Sequence, residues 1–203
     1  MSGQATGLST RGHQLLFAHI PKITKNVLLK KSIIAIFTKI LDTHIDMTEK
    51  QITINYTEYT SLEELCPKDR ELAHKAIEAM KGSYSPYSHF RVGAAVRMSN
   101  GEIVNGANQE NAAFPSGLCA ERTAMFYASA HFPDEAIEEL ALAGGTEKVI
   151  CDTPATPCGA CRQVMAQYQA KSGKPLAVLM IGAKRIWKFN RVEDILPLIF
   201  DSI

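Results

Sequence analysis

The sequence predicts an α/β fold: one three-layer α/β/α domain on a mixed, largely five-stranded sheet, preceded by a basic N-terminal extension. Three observations carry this. Segments alternating apolar and polar residues give way, from residue 117 on, to helical and strand patterns in turn. Parallel strands need a crossover, so this alternation makes part of the sheet parallel and covers both its faces. The 203 residues, 46% of them hydrophobic, suffice for one core plus an appendage, and no repeat, low-complexity tract or second core is visible.

Residues 1–46 come first. They hold six Lys or Arg against Asp42 and Asp46, a local net charge of +4, while the remaining 157 residues carry −3. "VLLKKSIIAIFTKIL" repeats its apolar residues helically, but its apolar runs fall far short of the roughly 18 residues needed to cross a bilayer. No secretory signal pattern is present. Two readings stay open for this extension, helical or disordered: an organelle transit segment, or a start codon set ahead of Met47 so that it is no part of the native product. The second is preferred. The domain is then expected to span 47–203.

The elements follow in order. After a polar stretch, residues 61–81 read as a helix whose regular part starts just after Pro67, with Ser61 and Glu64 as a capping box. "FRVGAAVRM" and "EIVNGAN", joined by "SNG", read as a β-hairpin. Residues 117–131 form a helix, "EELALAGG" a strand, 157–171 a helix beginning at Pro157, "PLAVLMIG" a buried strand and "KRIWKFN" a last strand. "RVEDILPLIF" is expected to be a short terminal helix broken near Pro197.

A formal net charge of +1 over an acidic body gives no reason to expect nucleic acid or an anionic membrane as partner. Five cysteines is an odd number, and three fit a metal-ligand pattern, so a reducing compartment, the cytoplasm, is expected.

Those three carry the chemistry. Cys119 and the pair Cys158 and Cys161 lie at two predicted helix starts, where free N–H groups and the dipole favour thiolates. Three residues of helix make nearly one turn, so Cys158 and Cys161 can face one ion. A structural zinc site closes with four protein ligands, whereas a catalytic one keeps its fourth position for water. No fourth cysteine has matching spacing; Cys151 is the alternative fourth ligand, Cys66 lies far upstream, and His89 and His131 read as lone histidines. Glu121, two residues after Cys119, is placed to take a proton from a zinc-activated water and hand it to a leaving amine. Arg122 is placed to donate to the thiolates, which otherwise make the metal a poorer Lewis acid.

Cys119-Ala-Glu121 with Pro157-Cys158-Gly-Ala-Cys161 is the zinc-deaminase pattern of a first ligand, x-Glu, then Pro-Cys-x-x-Cys. With "SPYSHFRVGAAV", "GANQENAAFPSGLCAERTA" and "TPCGACRQVM", the chain resembles the small homotetrameric cytidine deaminases from about Leu62 to Phe200. The resemblance implies hydrolytic deamination of cytidine and 2'-deoxycytidine to the uridine nucleosides and ammonia in pyrimidine salvage. It implies one Zn2+ per chain on Cys119, Cys158 and Cys161, with zinc-bound water as nucleophile and Glu121 as proton shuttle. It further implies Phe90 packing on the pyrimidine, Asn108 and Glu110 bonding the ribose 3'-hydroxyl, and the Ala120 backbone meeting the base edge. Phe114 and Phe200 are aromatics expected across subunit boundaries of a homotetramer; Phe114 stands where relatives often have Tyr. Cys119 as first ligand separates the chain from nucleotide and nucleic-acid deaminases, which usually use His, and Asn108 with Glu110 from antibiotic-inactivating relatives. The alternatives that remain are a non-enzymatic zinc module and a deaminase of another base or of nucleic acid.

Overall fold

The structure is a computed structural model that describes residues 48–201. The expectations for residues 1–46 lie outside the described residues. The unit Gln51–Ile203 is the body of the chain.

The hairpin forms as expected: β2 (Arg91–Met98) pairs antiparallel with β3 (Ile103–Ala107) across a turn in which Gly101 has φ 90° and Asn100 Oδ1 accepts from Glu102 N at 3.0 Å. β2 also pairs antiparallel with β4 (Ile137–Gly145), which runs parallel to β5 (Ala177–Ile181), and β6 (Ile186–Phe189) returns antiparallel to β5. A sixth strand, β1 (Thr57–Tyr59), was not expected. It pairs with β6 at the edge, giving the order β1-β6-β5-β4-β2-β3. Three residues cannot display a period of two, and this short edge strand is fixed by partners distant in sequence, its backbone pairing with β6 and the Trp187 Nε1 bond to Glu58 at 2.7 Å.

The alternation along the strands sorts the core into two. Ala95, Ala141, Ala143, Leu179 and Ile181 face α1 (Pro67–Ala79), which contributes Leu72, Ala73 and Ala76. Their neighbours Ala94, Val96, Leu140, Leu142, Val178 and Met180 face the opposite side, covered by α2 (Ala120–His131) and α3 (Gly159–Ser172). This is the three-layer arrangement, and each large buried side chain such as Leu72 or Leu179 contributes about 2 kcal/mol. Gly173, at φ 65°, ends α3 with its N–H on the Gln169 carbonyl at 3.0 Å.

Four expectations need correction. α1 begins at Pro67 itself, with Cys66 as N-cap, because proline suits the first helical position. Residues 62–64 form a separate 3-10 turn, and Glu64 reaches back to Thr60 N at 2.9 Å and Thr60 Oγ1 at 2.7 Å, so no capping box forms on Ser61. Pro157 stands before the N-cap of α3, not on its first turn: Cys158 is the cap, and the Pro157 carbonyl accepts from Arg162 Nε at 2.8 Å. The terminal helix reduces to one 3-10 turn, Val192–Asp194. There, side chains of α3 take the backbone groups a helix would have paired: Gln169 Oε1 accepts from Val192 N at 3.1 Å and Arg162 Nη1 donates to Ile195 O at 2.9 Å.

No helix among the described residues is long and apolar enough to cross a membrane.

Candidate active site

Two helix N-termini and the carboxyl end of β4 converge on one place. Cys119 is the N-cap of α2 and Cys158 the N-cap of α3, both with extended backbone, so each thiol sits at the positive end of a helix dipole. Gly106 of β3 permits this placement of α2: a Cβ there would stand 2.5 Å from Ala124 N and 2.6 Å from Ala120 O.

Cys119 Sγ lies 3.9 Å from Cys158 Sγ, which lies 3.5 Å from Cys161 Sγ, and all three sulfurs fall within 4.8 Å of one another. A tetrahedral zinc with Zn–S bonds of about 2.3 Å separates its sulfurs by about 3.8 Å, so the triangle fits the ion. Cys66, Cys151, His89 and His131 stand outside the cluster, the one such group among the described residues. The charges agree. The Cys119 thiol is held down at about 5, first by its hydrogen bond with Cys161, then by Arg122 and Cys158 acting against burial. The same bond and burial push Cys161 up. A thiol held low beside two others is a donor set that suits a cation.

Arg122 Nη2 lies 3.7 Å from Cys119 Sγ, close enough for a weak charge-assisted bond to the sulfur. Glu121, 3% exposed, is pushed up above the ordinary carboxylate range by burial.

Cys119, Glu121 and Cys158 border a cavity of about 620 Å3 whose other walls include Phe90, Asn108 and Glu110. Gly144 accommodates the Phe90 ring, since a Cβ there would come within 3.1 Å of two ring carbons. Phe114 lines this same chain's cavity, 74% exposed and edge-on to Tyr87 at 5.8 Å between ring centres. Cys161 and Arg122 lie behind the wall, and Ala120 is fully buried as the first residue of α2. Phe200 is not brought here; it lines a second cavity beside α3.

Asn108 and Glu110 hold the loop between α1 and β2. Asn108 Oδ1 accepts from Val92 N at 2.8 Å and Ser83 Oγ at 2.5 Å, while Nδ2 donates to Phe90 O at 2.9 Å. Glu110 Oε2 accepts from Tyr87 N at 2.8 Å and Ser88 N at 3.3 Å. The Ser88 hydroxyl and these amides hold the Glu110 carboxyl below the usual range. Sequence reasoning missed Tyr87 and Ser88 as parts of the site wall and Ser83 as a partner of Asn108. Their signals were the turn-forming "SYSPYS" and its place beside "SPYSHFRVGAAV", neither of which gives a partner.

The family model for the cytidine and deoxycytidylate deaminase zinc-binding region matches residues 67–173. A cytidine deaminase of Halalkalibacterium halodurans is 47% identical over 102 residues, 49% of this chain and 71% of that protein. One of Sporosarcina psychrophila is 41% identical over 98 residues, 48% of this chain and 68% of the relative. Among solved structures, cytidine deaminase from Burkholderia pseudomallei superposes with a TM-score of 0.53 at 37% identity, covering 64% of this chain and 97% of its own. Cytidine deaminase from Mycobacterium tuberculosis gives 0.52 at 30% identity, with 65% and 96% covered.

Proposed function

We propose that this chain, which belongs to the cytidine and deoxycytidylate deaminase family, is a zinc-dependent hydrolase converting cytidine and 2'-deoxycytidine to uridine and 2'-deoxyuridine with release of ammonia. The observation that carries the reading is Glu121, a buried carboxylate two residues from a cluster of three thiols, bordering the same cavity as Asn108 and Glu110.

Cys119, Cys158 and Cys161 would hold the zinc, which when bound supplies Lewis acidity that makes water a nucleophile near neutral pH. Glu121 is placed to take a proton from the attacking water at its carboxylate and give it to N3 of the pyrimidine, and then to carry the second water proton to the amine that leaves C4. Burial suits it to both steps, because a raised carboxyl pKa lies nearer the working pH. Overall, one C–N bond breaks, one C–O bond forms, and the two water protons end on the product and ammonia. Arg122, bonded to the Cys119 sulfur, would draw charge from that ligand and so keep a bound zinc a stronger Lewis acid.

Phe90 packs on the base. Each sugar-binding group keeps bonding capacity after holding the loop: Asn108 Nδ2 has a second N–H beyond the one given to Phe90 O, and Glu110 has a second carboxylate oxygen. A donor beside an acceptor suits a hydroxyl, and the charge on Glu110 disfavours a phosphate. Free nucleosides are therefore the proposed substrates, with residues 47–203 as the catalytic domain. Exposed Phe200 and Leu198, at 66% and 80%, are apolar side chains suited to burial against another copy; the proposed assembly is a homotetramer in which Phe200 reaches a neighbour's cavity.

The test is zinc-loaded protein mixed with cytidine, CMP or single-stranded DNA, followed by loss of cytosine absorbance. Conversion of cytidine alone is expected. Glu121→Gln should keep zinc and lose about a thousandfold or more in turnover; unchanged turnover removes the proton-shuttle role. Failure to convert any of the three despite bound zinc points to a structural metal module.

A further inference from the structure

Polar side chains of α3 bond backbone groups around the helix, among them ones in the chain that follows β6. Arg162 joins the carbonyls of Pro157 and Ile195, and Gln169 joins the backbone N–H groups of Leu176 and Val192. Gln163 does something different. Its Nε2 donates to Phe200 O at 2.7 Å and its Oε1 accepts from Phe200 N at 3.3 Å, so one planar carboxamide grips both polar groups of a single residue. Phe200 lies outside any helix or strand and is 66% exposed.

One hydrogen bond leaves a residue free to swivel about it, whereas a donor and acceptor in one plane fix the peptide and with it the Cα–Cβ direction. An exposed aromatic at the end of an irregular segment is otherwise costly to immobilise, because ordering a rotamer-rich side chain and its backbone takes entropy when a ligand binds. The Gln163 grip moves that ordering into folding. It also ties Phe200 to the helix whose start carries Cys158 and Cys161.

We propose that Gln163 is a positioning residue for the deaminase reaction: it holds the Phe200 backbone so that the ring is presented, already ordered, to the substrate cavity of a neighbouring copy. This rests on the reading above that Phe200 completes a neighbour's site. It names a residue two positions past the last thiol as the device that aims the ring.

The experiment is a double-mutant cycle on the zinc-loaded full chain, with kcat and KM for cytidine measured in wild type, Gln163→Ala, Phe200→Ala and the pair. Phe200→Ala is expected to lose about tenfold or more in kcat/KM. Gln163→Ala is expected to lose about three- to tenfold, chiefly as a rise in KM. The double variant should match Phe200→Ala, because Gln163 acts through that ring alone. Gln163→Glu keeps the acceptor for Phe200 N and loses the donor for Phe200 O, so it should fall between wild type and Gln163→Ala. An impaired Phe200→Ala beside an unimpaired Gln163→Ala, or losses that multiply in the double variant, overturns the Gln163 role and leaves the Phe200 reading standing. A Phe200→Ala enzyme with unchanged kcat/KM overturns that reading and the proposal with it. Loss of zinc in both Gln163 variants would make the residue a support of the metal helix and overturn the proposal.

Discussion

Arg122 Nη2 faces Cys119 Sγ at 3.7 Å from the first turn of the helix that Cys119 caps. The pair ties a permanently charged group to one thiol of the three-cysteine cluster, and Arg122→Gln is expected to weaken zinc binding and turnover by about 10- to 100-fold. Competition with a chelator reads the first and the cytidine assay the second. Unchanged values in both would leave the guanidinium no role beyond packing.

Glu110 supports the loop and, in the proposed reaction, selects the sugar. Glu110→Gln keeps an acceptor oxygen for Tyr87 N and Ser88 N but removes the charge. KM for cytidine should rise by about tenfold, and the preference for cytidine over CMP should narrow, since the repulsion of phosphate is gone. A preference ratio equal to wild type would place phosphate rejection elsewhere in the cavity.

A second charged cluster lies far from the thiols in sequence and on other elements. Lys188 Nζ of β6 is 2.5 Å from Asp69 Oδ2 of α1 and 3.3 Å from Glu139 Oε1 of β4, and both acids are almost wholly buried. Burial alone pushes Asp69 up, but the Lys188 ammonium outweighs it and leaves the carboxyl below its ordinary value. Burial likewise opposes the charge on Lys188, yet the two carboxylates hold its pKa above the usual lysine value. Burial dominates at Glu139, which is raised. The Asp69 contribution to stability is thus present above the ordinary carboxylate range and lost as pH falls through its lowered value. That of Lys188 is present below the ordinary lysine value and lost as pH rises through its raised one. Glu139 works the other way, its cost at neutral pH being relieved on acidification. Lys188→Met leaves two buried acids without a counter-charge and should cost about 3 kcal/mol at pH 7. The gap to wild type should shrink toward about pH 4 as those carboxyls take up protons. Urea melts at both pH values read it, and a pH-independent gap would make the loss one of packing.

Most of the sheet and the cluster of three thiols were legible in the sequence because both are written in spacing. "FRVGAAVRM" alternates visibly, and Cys158 and Cys161 three apart need no partner to announce themselves. β1 was not legible, since Thr57 to Tyr59 find their partners Lys188 to Ile186 across most of the chain. The terminal helix failed for a related reason: "RVEDILPLIF" has helical character, but Arg162, Gln163 and Gln169 capture the backbone there from a distant helix. Such contacts leave no periodic trace. The same holds at the site, where Cys119 and Glu121 could be read locally but the grip of Glu110 on residues 87 and 88 could not.

The placement of Cys119 and Glu121 depends on how closely α2 lies on β3, and Gly106 sets that distance. A Cβ at Gly106 would meet Ala124 N at 2.5 Å, Ala120 O at 2.6 Å and Ala124 Cβ at 2.9 Å. Two of these are backbone atoms, so no rotamer change relieves the contact and the helix itself must shift outward. Gly106→Ala should therefore cost about 1–3 kcal/mol by overpacking. It should also lower kcat by about 100-fold, because a displacement near 1 Å at the start of α2 misplaces the carboxylate and one thiol. Gly101→Ala separates the two effects: with φ 90° and nothing within 4 Å of a new Cβ, it strains the hairpin turn but pushes on nothing. It should lower the melting temperature by a few degrees and leave kcat unchanged. If Gly106→Ala lost stability in the same way with kcat intact, the close approach of α2 to β3 would serve the core and not the site.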